Sequence, residues 1–315
     1  MKVLNELSVK DLKLNKKRSI VIIIGIILST ALICGVAGLI TSFQNTFIDT
    51  AKDSQGNYHA IFYNVPKDEL KYIEENRGVE DYYLSEEIGY SYLPKGKIST
   101  STGEEEKPLV NVISMNDKFL NNMAINVKDG RLPENDGELA ISTRINEKFK
   151  TNYKVGDTIT LNVGELKGTL ENQNANYYDE EQIKKTDGTE QTTENEIVNV
   201  TSKTYKIVGI IERPTTTIEP YEADWFTVIT KMQTINKKAN IAVLYSKPND
   251  YVKNTESINQ MVIAKSGTKE NDFNRVSGLD KTYKSYKYNL MVNKELLAYE
   301  GASLDDETLK TIYGL

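Results

Sequence analysis

The sequence is poor in the residues that build disulfides, metal centres and nucleophilic dyads, with one Cys and one His among 315 residues. A single cysteine excludes an internal disulfide framework, and this pair alone cannot form a zinc cluster. Basic residues are fewer than acidic ones, 39 Lys and Arg against 45 Asp and Glu, for a net charge of −6. The acidic balance argues against a generally basic nucleic-acid surface, so we predict no nucleic-acid partner.

Charge is distributed unevenly along the chain. Residues 1–18 carry six basic side chains against two acidic ones, a net of +4, so the remainder carries −10. The stretch Ser19–Ile48 has no charged residue, and Ile20–Ile40 within it contains only two polar residues. A helix of this length spans about 30 Å, the thickness of the hydrocarbon core of a bilayer. The sequence therefore predicts a transmembrane helix over residues 19–48.

A basic cluster, Lys16, Lys17 and Arg18, lies directly before the apolar stretch. By the positive-inside rule it predicts a cytoplasmic N-terminus and an extracytoplasmic chain after about residue 48, in the cell membrane. A cleaved signal peptide is the competing interpretation, but the basic leader is long and the apolar run exceeds a usual h-region. The residues before Cys34 also lack the small side chain that precedes a lipidated cysteine.

The leader, residues 1–18, places leucines at near-helical spacing among lysines. This pattern fits a basic amphipathic helix on the inner membrane surface, with membrane lipid as its partner. A contact for a cytoplasmic protein and a basic segment that only sets topology remain open as alternatives.

Beyond the apolar stretch, the composition predicts an α+β fold. Two strand–helix–strand patterns, one from Asn57 to Leu93 and one from Asn240 to Val292, flank a strand-rich middle. In the first pattern, residues 67–76 read as a helix with Pro66 in its first turn. We predict one α+β part built from residues 49–124 and 216–300.

The middle segment, residues 125–215, predicts a mainly β-subdomain inserted into the α+β part. Turn residues precede runs with period-two alternation, for example before Ile159–Val163, and Thr204–Ile211 reads as a further strand. Residues 164–195 contain almost no apolar side chains and predict a mobile loop or a protruding hairpin.

Several phrases of the sequence resemble one family in order and spacing. The opening KDLKLNKKRSIVIIIGIILSTALI is similar to that of FtsX-like permeases, and VKDGRLPENDGELAIS, KVGDTITL and YKIVGII resemble the MacB-type extracytoplasmic core domain. The residues that carry the resemblance shape turns into strands, and we expect them to be structural: Gly130, Arg131, Pro133, Glu138, Gly156, Asp157 and Gly209.

The resemblance implies a fold and a function. The fold is a single transmembrane helix followed by a porter-like α+β domain with an inserted mainly-β subdomain. The function is that of a permease subunit of an ABC transporter, which couples ATP hydrolysis by a cytoplasmic ATPase subunit to work on an extracytoplasmic peptide, lipid-linked molecule or protein. Further permease helices, or a second permease copy, would be partners. Separately, the abundance of lysine and asparagine with few arginines suggests an AT-rich bacterial genome, and a cysteine-free exterior domain fits the surface of a Gram-positive bacterium.

Members of this family continue with further membrane helices after the core domain. Residues 301–315 predict the start of a helix, with Ser303 and Asp306 as a capping box, that would lead to a second transmembrane segment. The expectation is that the sequence is the N-terminal portion of a longer permease, with a natural truncation as the alternative.

No pattern in the sequence indicates catalysis. The stretch from Gly89 to Ile98 fails as a nucleotide-binding loop, because Pro94 and Ile98 occupy positions that need Gly and Ser or Thr. His59 reads as an ordinary strand residue, and Cys34 lies in the apolar stretch. We predict no enzyme activity, cofactor or metal. A single-pass anchored binding protein without an ATPase is the alternative, and a membrane-bound hydrolase without an identifiable catalytic residue is a third hypothesis.

Overall fold

The structure is a computed structural model that describes residues 16–96, 98–99, 105–167, 196–220, 223, 225–266, 274–276, 284–286, 288 and 290–314. It divides into two units, Met1–Asp49 and Thr50–Leu315. The leader ahead of residue 16 and the predicted loop beyond residue 167 lie outside the described residues.

Helix α1, Lys16–Gln55, contains the whole predicted transmembrane segment. Its side chains up to Asp49 are exposed or nearly so, as expected for a surface that lipid would cover. Among the described residues it is the one helix long and apolar enough to cross a membrane. It ends where Gly56, at φ 108°, donates its N–H to the Lys52 carbonyl oxygen.

A ten-stranded sheet runs through the second unit in the order β14-β1-β11-β2-β5-β10-β7-β9-β6, with β8 pairing to both β2 and β9. Its strands are β1 Ala60–Pro66, β2 Val79–Tyr92, β5 Leu109–Met115, β6 Val127–Gly130, β7 Glu138–Ser142, β8 Thr158–Lys167, β9 Glu196–Ile211, β10 Phe226–Lys231, β11 Lys238–Tyr245 and β14 Leu290–Val292. Two small sheets pair β3 Ile98–Ser99 with β4 Glu105–Glu106, and β12 Asn274–Val276 with β13 Lys284–Tyr286.

Short helices connect and cover the strands: α2 Lys71–Glu74, α3 Asp117–Asn122, α4 Thr143–Phe149, α5 Tyr251–Ser266, α6 Lys294–Tyr299 and α7 Asp306–Tyr313. A 3₁₀ turn, Pro248–Asp250, leads into α5. Strands and helices in one unit confirm the predicted α+β class.

Three large hydrophobic clusters and a smaller one, formed by Tyr90, Leu109, Leu166 and Trp225, make up the core of the described residues. One lies around Phe62 and Ile241 and packs under α5 through Ile258 and Val262. Their chain neighbours Ile61 and Ala242 belong to a second cluster with Met115 and Phe119, because successive residues of a strand point to opposite faces. The third cluster lies where β7, β8, β9 and β10 meet, around Leu139, Leu161, Ile207 and Val228.

Several local expectations differ from the structure. Pro66 ends β1, and the helix expected over 67–76 is reduced to one turn, α2, because hydrogen-bonded turns occupy the residues before it. Helix α7 is capped by Asp305, whose side chain accepts from the Thr308 N–H, and the predicted Ser303–Asp306 box does not form. Gly314 caps the C-terminal end of α7.

Residues 164–167 of the predicted loop or protruding hairpin lie in a strand. Strand β8 continues to Lys167 and β9 begins at Glu196, because the two strands pair as an antiparallel ladder that includes residues too polar to be recognised as strand. The predicted inserted part, 125–215, also shares the continuous sheet, since β10 lies between β5 and β7.

Candidate functional site

The topology-determining residues occupy the first described turn of α1. Lys16, Lys17 and Arg18 are all exposed. Three hydrated cations directly before the uncharged stretch Ser19–Ile48 of this helix suit the headgroup region of a membrane, because moving them into hydrocarbon is costly.

The predicted motif residues around Arg131 come together on strand β9. Gly130 pairs with Gly209, and the Arg131 N–H donates to the Val208 carbonyl oxygen at 2.9 Å. A Cβ on Gly209 would stand 2.1 Å from the Arg131 carbonyl oxygen, so this crossing requires glycine. Buried Pro133 lies in the loop that follows.

A bidentate ion pair between Arg131 and Glu138 links the two ends of this loop. The two terminal nitrogens of Arg131 donate to the two carboxylate oxygens of Glu138 at 2.7 and 2.5 Å. The Glu134 N–H also donates to Glu138, at 2.8 Å. The hydrogen bonds from Arg131 lower the pKa of Glu138 to about 2.

Gly156 and Asp157 join the same edge of β9 at the start of β8, whereas β7 occupies the opposite edge. Gly156, at φ 99°, donates its N–H to the Ile207 carbonyl oxygen at 2.8 Å, and the Ile207 N–H donates to the Asp157 carbonyl oxygen at 2.8 Å. The Asp157 carboxylate accepts from the Lys154 N–H. Gly130, Arg131, Gly156 and Asp157 therefore all contact β9 at or next to turns.

The last turn of α1 contacts the residues that follow it through Ala51 and Lys52. Ala51 is fully buried, and Lys52 Nζ lies 3.9 Å from the Glu300 carboxylate. Glu300 also accepts from His59 Nε2 at 2.7 Å, and His59 Nδ1 accepts from the Tyr245 N–H at 2.9 Å. The backbone donor at Nδ1 selects the tautomer with its proton on Nε2.

A groove of about 520 Å³ opens between strands β1, β2 and β8. Its walls are Asn64 of β1, Glu86–Tyr90 of β2, Glu165–Lys167 of β8 and, at the start of β11, Asn236–Lys238 with Asn240. This volume falls in the range of small-molecule sites, about 300–1,000 Å³.

Irregular backbone surrounds the groove. The ladder registers shift between Phe62 and Val65 in β1, between Glu87 and Gly89 in β2, and between Val163 and Glu165 in β8. β-Bulges re-aim side chains and concentrate next to functional sites. Asn64 also has φ 57°, a strained value for a residue other than glycine.

Two neighbouring carboxylates differ in their surroundings in this groove. Glu86 is buried and accepts from the N–H groups of Asn236 and Lys237 at 3.0–3.1 Å. Glu87 remains accessible and accepts from Asn111 Nδ2 at 2.8 Å and from the Tyr90 hydroxyl at 3.0 Å. Desolvation by the surrounding protein raises the pKa of Glu87, although these two hydrogen bonds lower it.

Residues 19–272 match the MacB-like periplasmic core domain family. The chain belongs to this family. The match confirms the resemblance seen in the sequence, so the second unit is the core domain of a MacB-like ABC-type permease. No curated protein sequence matches the chain.

The fold of this MacB-like core domain is similar to two solved domains. One is the extracellular domain of the noncanonic ABC-type transporter YknZ from Gram-positive bacteria, with 12% identity and a TM-score of 0.38, covering 68% of this chain and 97% of that one. The other is a domain of a putative permease protein from Porphyromonas gingivalis, with 9% identity and a TM-score of 0.36, covering 83% and 98%.

The MacB-like core domain has no evident metal centre in the part of the chain that the structure describes, where no three His, Cys, Asp or Glu side chains cluster suitably. Gly89 lies in β2 at a bulge, and not in a loop that opens a helix. Sequence reasoning missed both the groove and the partners of His59. No local pattern could have shown that His59 meets Glu300, because 241 positions separate them.

Proposed function

We propose that the chain is the N-terminal portion of a permease subunit in which ATP hydrolysis by a cytoplasmic ATPase drives work by the core domain outside the membrane. The object of that work would be a peptide, a lipid-linked molecule or a protein. The N-terminus would be cytoplasmic, and the chain itself would catalyse no reaction. The family supports an ATPase partner, and the basic cluster at the start of α1 supports the orientation.

The continuity of α1 carries this proposal. One uninterrupted helix runs from the basic residues at Lys16 to Gln55, and its last turn contributes Ala51 and Lys52 to the core domain. A helix without a break transmits displacement along its axis better than a flexible linker does. A displacement of the cytoplasmic end of α1 would therefore be transmitted along the helix to the core domain.

Interrupting α1 tests the coupling. We expect a Gly-Gly-Ser insertion between Gln44 and Asn45 to leave the complete permease bound to its ATPase, but to abolish the ATP-dependent response of the core domain. The response is measured with a spin label at Lys237, whose side chain is 83% exposed. The insertion should abolish the response because glycines destabilise a helix and would interrupt α1.

The matched control places the same insertion between Asn174 and Ala175, in the polar stretch 164–195 that the sequence predicts to be a loop or a protruding hairpin. This control should retain the ATP-dependent signal. An undiminished signal in the α1 variant would contradict coupling through the helix.

The DNA after codon 315 and its neighbouring reading frame test the wider proposal. Further apolar segments and an adjacent ATPase gene are the expected result. A stop codon with no ATPase gene nearby would favour the anchored binding protein instead.

A further inference from the structure

Strand β2 has an unpaired edge within the groove. On the edge opposite β5, Ser85 is the last residue that pairs with β11, and Tyr90 is the residue that pairs with Gly164 of β8. In the part of the chain that the structure describes, no strand pairs with Glu86–Gly89 on this edge. At about 3.3 Å per residue, this gap is roughly 13 Å long, which accommodates a short extended segment.

Glu87 stands on this gap as a charged group without a charged partner. Its carboxylate accepts from the neutral donors Asn111 and Tyr90, both at Oε2. Across residues 16–96, 105–167, 196–220 and 225–266, no lysine or arginine forms an ion pair with it. Glu165, on the opposite wall, differs because Lys237 lies 3.7 Å from its carboxylate.

Beside its glutamates and the exposed lysines Lys167, Lys237 and Lys238, the groove carries amide side chains. Asn64, Asn236 and Asn240 line it, and an asparagine side chain can both donate to a carbonyl oxygen and accept from an N–H. Behind Glu87, Asn111 is 3% exposed and its Oδ1 has no hydrogen-bond partner. This side chain therefore lies beneath the groove and positions the Glu87 carboxylate through the hydrogen bond from its Nδ2.

We propose that the groove binds a short peptide in extended conformation that carries a lysine side chain, with the lysine ammonium paired to Glu87. The free edge of β2 and the asparagine side chains would contact the peptide backbone, as in recognition by strand addition. The ammonium would supply the cation that Glu87 lacks, with donor and acceptor both charged.

The raised pKa of Glu87 agrees with this assignment. An ammonium group beside Glu87 would favour the charged form of its carboxylate and so lower this pKa. Binding at the groove requires no ATPase, so failure of this proposal and failure of the coupling proposal are distinguishable.

Titration of the full chain in a non-ionic detergent tests the site. The probe is the capped tetrapeptide acetyl-Ala-Lys-Ala-Ala-amide, and its affinity is measured by calorimetry. Trp225, the one tryptophan of the chain, packs edge-on against Tyr90 with ring centroids 5.9 Å apart, so its fluorescence reports occupancy beside Glu87.

We expect saturable heat and a fluorescence change with the lysine peptide. Glu87→Gln should weaken binding about tenfold or more, because the isosteric amide keeps an acceptor but loses the charge. The control Glu212→Gln, at an exposed carboxylate after β9, should bind like the parent chain.

Two altered ligands keep the test independent of how the protein variants fold. The same peptide with acetyl-lysine should bind at least about tenfold more weakly, and 1,5-diaminopentane should bind more weakly than the peptide. Equal affinity for lysine and acetyl-lysine peptides would overturn the ammonium contact. If the diamine bound as tightly as the peptide, the groove would not recognise a peptide backbone. If no binding were detected at millimolar concentration, the proposed site would be contradicted.

Discussion

At the residue scale, the Arg131 carbonyl oxygen occupies the space that a side chain at position 209 would need. We expect Gly209→Ala to lower the free energy of unfolding by about 1–3 kcal/mol, because the added Cβ would force the backbones of β6 and β9 apart. Urea unfolding of the full chain in detergent measures this. Gly137→Ala is the matched control, since no atom lies within 4 Å of its added Cβ. Equal losses for both variants would contradict the close approach.

The carboxylate of Glu219 is buried and pairs with two arginine side chains. It is fully buried, it pairs with Arg144 and with Arg213, whose Nε lies 3.3 Å away, and it accepts from the Thr227 N–H at 2.9 Å. We expect Glu219→Gln to cost about 2–3 kcal/mol of unfolding free energy, since both guanidinium groups would lose their counterion but keep partial hydration.

Thermal and urea unfolding measure the effect of this change. The control is Glu147→Gln, at an exposed position of α4, which should alter the free energy of unfolding by less than about 0.5 kcal/mol. A Glu219→Gln chain as stable as this control would show that the buried charge is dispensable.

The Glu138–Arg131 pair predicts a pH dependence. The pKa of Glu138 is lowered from 4.5 to about 2 in the folded chain, so the pair stabilises the fold above about pH 4.5. That contribution is lost as pH falls through the folded-state pKa. The stability difference between the parent chain and Glu138→Gln should therefore be constant near neutrality and shrink between about pH 4.5 and 2. Glu134→Gln, at a carboxylate that is 71% exposed, should show no such trend.

At the scale of elements, the β8–β9 ladder brings Lys167 and Glu196 directly opposite each other. Opposed residues of antiparallel strands have Cα atoms about 4.5–5.5 Å apart, a span that two turn residues close. We expect replacement of residues 168–195 by Asn-Gly to preserve the fold, with an unchanged thermal midpoint. A control that removes the pairing residues 158–163 should unfold this region. Loss of cooperative unfolding in the first variant would contradict the ladder.

At the scale of the whole molecule, the orientation of the chain is the main prediction. Extraction from membranes should require detergent, because α1 carries the one long apolar surface described in the chain. Protease added to spheroplasts should digest the chain beyond about Phe47 and spare the N-terminal leader. Protection of the core domain would reverse the proposed topology.

The local features of this protein follow from its sequence alone. An uncharged run of the right length determines α1, and alternation in Ile159–Val163 and Thr204–Ile211 determines parts of β8 and β9, because these signals depend only on near neighbours. The order of the motifs likewise identifies the family. The extra length of β8 was not visible, since its polar end is stabilised by the partner strand.

Only the tertiary structure decided which distant residues meet. His59 reaches Glu300, Arg144 reaches Glu219, and the groove joins β1, β2, β8 and the start of β11. Such contacts arise when strand order and register bring separated segments together, and a short stretch of sequence carries neither. The apolar run thus determined the membrane helix, whereas only the folded sheet placed Glu87, which pairs with no described lysine or arginine, on the strand that borders the groove.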